Sequence, residues 1–505
     1  MDINREQFWE DIDSGEVHFQ DQWHFAIKSN FFPSETKNDN CYTQEFYFFI
    51  PNALQINAET YTKQTFYLDQ TTLIRYKTPE IPFNTLLDLN DPISPLSRII
   101  SLCGQSKTAE QHKLIEDELK LLANVFRSTL RQETKQIQNV ILEKPKSKAQ
   151  DIAIACKTLE LCNHIHAFLE KYTKVKEIFL APQNHFHLDY IDDFLWDMIS
   201  YFLSKTLKAI RNEARASLQS ADNSLTQFLL AIPISNKDST IQELLNHPSD
   251  SLLGESLSYE TNLLHSYILE ALQLHSNRYP IDQRYQHYLR AFSAGAAILF
   301  YLVLFAWLGH TFVFNSAPFI VLAAVLYVIK DRLKETINAF SFQKVSAFFQ
   351  DFRTVIGEKQ KIGMLTEVTS FLNLKQLPND IREMRDAKFH SFLRTYQRPE
   401  SILFYRRVVN IKHLPKFTDK RKMNLSVIFR LNLRYLLRQA SEPIEERLYL
   451  NPITENLNQV LLPKVYHINI IIKNSLLTDA SKTHTEFKKL RLIVNKDGIC
   501  RIEQM

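Results

Sequence analysis

A chain of 505 residues is long for a single hydrophobic core and predicts two or three folding units. Apolar residues make up 45% and charged residues 23%, which excludes a largely disordered chain and a polytopic transporter. The net charge of +4 is too small for electrostatics alone to hold nucleic acid along the whole chain, so nucleic acid is not an expected partner.

Two residue types narrow the chemistry further. The eight glycines include no GxGxxG or GxxxxGK[ST] arrangement, so the common phosphate-cradling loops are absent and no nucleotide cofactor is expected. The five cysteines (Cys41, Cys103, Cys156, Cys162, Cys500) are scattered without a CxxC pair, which fits a reducing compartment better than a disulfide framework.

The opening MDINREQFWEDID is acidic and lacks an apolar run, so membrane insertion is expected to rely on an internal segment. Residues 1–105 form a strand-containing region. Trp23, Phe25 and Ile27 alternate with smaller or more polar neighbours, and TQEFYFFIP reads as a buried strand ending at Pro51.

The period changes near residue 107, and residues 106–285 read as a helical bundle. Ile115, Leu119, Leu122, Phe126, Leu130, Ile137 and Ile141 describe one long amphipathic helix stopping before Pro145. Ile152, Ala155, Leu159, Cys162, His166 and Leu169 suggest the stripe of a second. Cys162 and His166, four apart, can share a metal, but consecutive positions of an apolar stripe are the simpler account. Further helices are expected near 188–220 and 257–276.

Between the second and third helices lies His185-Phe186-His187-Leu188-Asp189. Imidazoles two apart on an extended segment can face one metal ion. HxHxD resembles part of the metal-binding signature of metallo-β-lactamase-type hydrolases, which implies metal-assisted hydrolysis through His185, His187 and Asp189. Tyr190 stands where that family carries a further histidine, and the match covers five residues.

From Ala291 to Ile329, 39 consecutive residues contain no Asp, Glu, Lys or Arg. With Gly309 and Asn315-Ser316-Ala317-Pro318 as turn signals, residues 286–334 read as a two-helix transmembrane hairpin, flanked by basic Arg290, Lys330, Arg332 and Lys334. The positive-inside rule then places both termini in the cytoplasm, with the lipid bilayer as the first partner. The small-residue run Ser293 to Ala297 allows close helix approach and hence a homo-oligomer.

Residues 335–505 read as a cytoplasmic α+β region, helical over 331–356 and 365–395. KVYHINIIIK and the alternating Leu490, Leu492 and Val494 are strands, the latter leading through NKDG into Ile499. Between 401 and 441 lie ten basic residues against Asp419 alone, and Arg430, Arg434 and Arg438, four apart, predict one helical face for anionic lipid, phosphate or an acidic protein. The acidic row Asp189, Asp193 and Asp197 is a second candidate partner for that face.

Together these features predict a mainly helical α+β membrane protein with a two-helix hairpin and a small antiparallel sheet from N- and C-terminal strands. The function expected is a membrane-anchored sensory, regulatory or scaffold protein facing the cytoplasm. A metal-assisted hydrolase and an oligomeric membrane effector are the alternatives.

Overall fold

The computed structural model describes residues 17–19, 21–31, 40–103, 109–142, 148–178, 185–213, 218–232, 244–246, 251–311, 317–345, 350–357, 362–386, 400–411, 424–450, 452, 457–479 and 482–504. The chain divides into two compact units. One comprises Met1–Ile74, Leu274–Lys416 and Val427–Met505; the other comprises Arg75–Gln273 and Phe417–Ser426.

The first unit holds most of the strands, labelled here in chain order. They are β1 (Val17–Phe19), β2 (His24–Phe31), β3 (Asn40–Pro51), β4 (Gln70–Tyr76), β5 (Ser276–Pro280), β6 (Phe352–Ile356), β7 (Gly363–Leu372) and β8 (Glu400–Ile411). After these come β9 (Leu425–Asn432), β10 (Ile444–Leu450), β11 (Leu457–Pro463), β12 (Tyr466–Asp479), β13 (Lys482–Asn495) and β14 (Gly498–Gln504). Eight make one sheet in the order β14-β13-β12-β3-β8-β7-β6-β5, four make a second in the order β1-β2-β9-β4, and β10 and β11 form a separate ribbon.

The aromatic run of β3 explains the layering. Phe46 and Phe48 point into a core shared with Phe25 and Ile27 of β2, Phe429 and Leu431 of β9, and Ile468, Ile470 and Ile472 of β12. Tyr47 and Phe49, one residue out of phase, bury against Leu377, Ile381, Ile402 and Ile471 on the other face. A strand covered on both sides has no polar face to alternate, so its sequence is almost continuously apolar. Phe46 and Phe429 stack at 4.7 Å between ring centroids, fixing the two sheets face to face.

This architecture corrects the predicted fold. An N-terminal strand does pair with a C-terminal one, as β3 lies antiparallel to β12 with Phe48 opposite Ile470, but the sheet is an eight-stranded one, not a small one. Residues 365–372, the start of the stretch expected to be helical, belong to β7. The Thr366, Val368 and Thr369 side chains suit a strand, and burial of Leu365 through Thr369 in succession removes the alternation that would have marked it. Helix in 365–395 is confined, among the described residues, to Asn379–Asp386 and the short Leu374–Gln376 turn.

The hairpin expectation is also overturned. Helices Asp282–Thr311 and Ala317–Val345 exist, yet among the described residues only Arg290–Trp307 is long and apolar enough to cross a membrane. The apolar part of the second helix ends at Lys330, so it covers roughly 20 Å at about 1.5 Å per residue, short of a hydrocarbon core of about 30 Å.

In the second unit the long helices Ala109–Leu142, Lys148–Ile178 and His185–Glu213 dominate. The predicted stripe of the first is buried from Leu119 through Ile141, and Phe126 stacks on Phe168 at 4.2 Å. In the second helix the buried face is Ile154, Leu161, Ile165, Phe168, Tyr172 and Val175, whereas Ile152 and Leu159 are exposed. The buried face there includes Thr158, whose hydroxyl donates to the Ile154 carbonyl at 2.7 Å. Counting only apolar residues therefore pointed the stripe one position astray.

The Lys496–Asp497 turn between β13 and β14 ends at Gly498, whose φ of +133° is accessible to glycine alone at low cost. A Cβ there would lie 2.1 Å from the Gln22 carbonyl oxygen, which accepts from the Ile499 amide. Gly498→Ala is expected to cost roughly 1–3 kcal/mol from backbone strain, with the clash added, read as a lowered midpoint in denaturant unfolding.

Candidate functional site

The two apolar helices leave the eight-stranded sheet between neighbouring strands. β5 ends at Pro280, β6 begins at Phe352, and these two residues are register partners. The Ile281 amide donates to the Asp351 carbonyl at 3.0 Å, so both ends of the long excursion between them are clipped side by side. Asp351 then acts as a junction. Its carboxylate accepts from Lys63 Nζ at 2.8 Å, Tyr67 hydroxyl at 2.9 Å and the Thr369 amide at 2.7 Å.

A second carboxylate lies deeper. Glu367 of β7 is fully buried and takes Arg278 of β5 at 2.8 Å, the Tyr405 hydroxyl at 2.6 Å and the Thr72 hydroxyl at 3.2 Å. The Arg278 guanidinium also lies over the rings of Phe352, at 4.2 Å, and Tyr67, at 5.0 Å. Arg278 is thus committed to the root of the helical excursion.

Glu367 belongs to a polar row running across the strands. Asn474 of β12, Gln44 of β3, Arg407 of β8 and Glu367 of β7 are successive register partners, so their side chains share one face. Arg407 is completely buried. Its Nε donates to Gln44 Oε1 at 2.7 Å, and Gln44 Nε2 donates to Ser29 Oγ at 2.8 Å and Asn474 Oδ1 at 2.7 Å. Burial draws the Arg407 pKa below the ordinary arginine value, while the charge of nearby Glu367 opposes that shift.

Sequence reasoning missed this network. Arg406-Arg407 inside the apolar run ILFYRRVVN was the available signal, because two adjacent charges in a strand cannot both face solvent. Asp351 and Glu367 had no comparable signal, since both sat in stretches read as helical.

The predicted site residues are dispersed. His185 and His187 open the helix His185–Glu213, where positions two apart do not face each other, and their side chains lie outside the described residues. Asp189 is exposed, and no group of three or more His, Cys, Asp or Glu suited to a metal occurs among the described residues. Cys162 is buried, which pushes its thiol up to about 11, whereas His166 is exposed.

Arg430, Arg434 and Arg438 do not share a helical face. Arg430 is on β9 and half-buried, whereas Arg434 and Arg438 are exposed in the turn that follows. The apolar-rich Leu425–Asn432 stretch completes the four-stranded sheet, and that pairing overrides the four-residue spacing. Lys412, Lys416, Lys420, Arg421 and Lys422 lie outside the described residues.

Along the excursion itself Arg290, Arg332 and Lys334 are exposed, and Lys330 sits over the Tyr327 ring at 3.7 Å and beside Asp331. Only 11% of Arg290–Trp307 is buried. Leu299, Val303 and Trp307 expose 67%, 61% and 63% of their surface, and Val321 of the second helix 64%. No family model, curated protein or solved structure matches the chain.

Breaking the ionic root is expected to be severe. Glu367→Ala leaves Arg278 without its carboxylate partner and removes the negative charge beside buried Arg407, and should lower stability by about 3–5 kcal/mol in denaturant unfolding, whereas Lys63→Met, at a partly exposed site, should change it by about 1 kcal/mol or less. The root also predicts alkaline sensitivity. Burial, followed by the charge of Asp351 for Tyr67 and of Glu367 for Tyr405, holds both hydroxyls well above the usual tyrosine range. A pKa raised on folding contributes stability fully below the unfolded value of about 10 and loses it as pH rises above that. Tyr405→Phe should therefore flatten the fall in stability above about pH 10, measured by unfolding midpoints across pH.

Proposed function

We propose that the chain is a membrane-attached regulatory or scaffold protein that presents its strand-rich unit at one face of a bilayer. The observation carrying this reading is the exposed apolar surface of the Asp282–Thr311 helix. Folded domains in water rarely leave a contiguous apolar surface of that kind uncovered, and acyl chains are the cover that a run of Ala, Leu, Phe and Val fits.

The sheet constrains how such an attachment works. β3 and β5 precede the apolar helices in the chain and β6, β7, β8 and β12 follow them, yet all six belong to one sheet. Both ends of the excursion therefore stand on the same side of any bilayer. With a second helix too short to cross, the fitting arrangement is re-entrant: the first helix enters the hydrocarbon and the chain returns to the side it came from.

Arg290, Arg332 and Lys334 are exposed, and in this reading they meet anionic headgroups, each cation contributing about 1 kcal/mol near such a surface. Arg434 and Arg438 are further candidates for that contact. Cys41, Cys156, Cys162 and Cys500 are unbridged, which suits the cytoplasmic side. The buried carboxylates and guanidiniums are directed at one another, which supports a binding or scaffolding role over catalysis.

Flotation of the full-length chain with liposomes containing phosphatidylserine tests the proposal. The wild type should float, Leu299→Asp/Val303→Asp should remain at the bottom of the gradient, and brominated lipid should quench a fluorescence component lost in Trp307→Phe. A wild-type chain that stays soluble and unquenched would refute membrane attachment.

A further inference from the structure

The β10–β11 ribbon stands apart from both larger sheets, and every residue of both strands is exposed. Its register sets Ile444 opposite Pro463, Arg447 opposite Val460 and Leu450 opposite Leu457. One face accordingly carries Ile444, Leu448, Leu450, Leu457 and Leu461 together with Glu446 and Gln459, with exposures of 38% or more throughout the apolar side chains of the ribbon. An isolated two-stranded ribbon is marginal in water, and sheets become independently stable at three strands or more.

The two outer edges differ in kind. β10 carries Glu445, Glu446 and Arg447 in succession, the charge pattern by which edge strands resist pairing. β11, with the sequence LNQVLLP, has no charge at all, and its single proline is at the end. Its open row of backbone donors and acceptors is thus unguarded. Hydrocarbon does not suit this edge, because unpaired amides and carbonyls are excluded from lipid and Glu445 and Glu446 lie on the neighbouring strand.

We infer that β11 pairs antiparallel with β11 of a second copy of this chain, about a two-fold axis through Val460. That register sets Leu457 against Pro463 of the second copy and Gln459 against Leu461 of the second copy, and it opposes no two like charges across the new seam. The resulting four-stranded ribbon has β10 on both outer edges. Their charges stop further addition, so the assembly closes as a dimer and does not grow into a fibre. This inference is independent of membrane attachment, since it rests on the edge of a different element.

The test uses the full-length chain in detergent, with mass measured by sedimentation equilibrium. The wild type should be dimeric, and Val460→Lys, which puts a charge on the unguarded edge, should weaken association by about ten-fold or more while leaving the far-UV circular dichroism of the folded chain unchanged. Glu445→Gln on the guarded edge should leave the dimer intact. As a second readout, Val460→Cys should give a bismaleimide-crosslinked dimer above the level of the unsubstituted chain, and Arg447→Cys should not. A monomeric wild type, a dimer indifferent to Val460→Lys, or equal crosslinking from the two cysteine positions would each overturn the inference.

Discussion

A guanidinium without water around it has to be enclosed by acceptors held in fixed places, and Arg407 imposes that requirement on the centre of the larger sheet. The cost of desolvating an ion is several kcal/mol, returned only when geometry and hydrogen bonding are good. Gln44 accepts from Nε, Ser29 and the Val427 carbonyl accept from Nη2, and the Glu367 carboxylate stands at the neighbouring register position, so a slip of one residue in β3, β7 or β8 would turn a partner to the opposite face. Hydrophobic burial gives the sandwich most of its stability, but it tolerates several registers. The polar row selects one.

That selection extends to the apolar helices. Glu367 is shared between the row and Arg278, and Arg278 stands just ahead of the excursion that Asp351 closes. The Glu367 carboxylate ties β7 to β5 and the Asp351 carboxylate ties the start of β6 to β7, while Lys63 and Tyr67 reach in from the Lys63–Asp69 helix. A load on the helices would thus be borne by short, buried, charge-assisted contacts before it reached the aromatic core.

Much of the fold was legible in the chain, and the failures share a cause. Periodicity marked the Ala109–Leu142 helix through its buried stripe, and β3 and β12 were marked by near-continuous apolar runs, since both are buried on two faces. Periodicity failed for β7, where burial extends over both faces, and for β9 the four-residue spacing of Arg430, Arg434 and Arg438 suggested a helical face in a stretch that is a buried strand followed by a turn. It also failed for the Lys148–Ile178 helix, where Thr158 is buried by bonding its own backbone and so breaks the apolar count. The basic cluster misled because a charge density read along the chain says nothing of how the chain turns: Arg407 goes to the interior, Arg430 to a strand and Arg434 to a turn. The polar root was illegible because it is assembled from β5, β6, β7 and the Lys63–Asp69 helix, each of which supplies one or two unremarkable residues.

The position of β3 has a consequence for synthesis. Its neighbours are β8 and β12, and the hydrogen bond from Gln44 to Asn474 joins residues separated by 430 positions. At about 5–20 residues per second a ribosome needs roughly 20–90 s to travel that distance, during which FYFFI has left the exit tunnel without either neighbour. The apolar helices emerge in the interval, so this chain has its stickiest strand and its greasiest segment waiting together before any large sheet can close. A nascent-chain chaperone or an early encounter with a membrane surface is the kind of shelter such an order of emergence calls for.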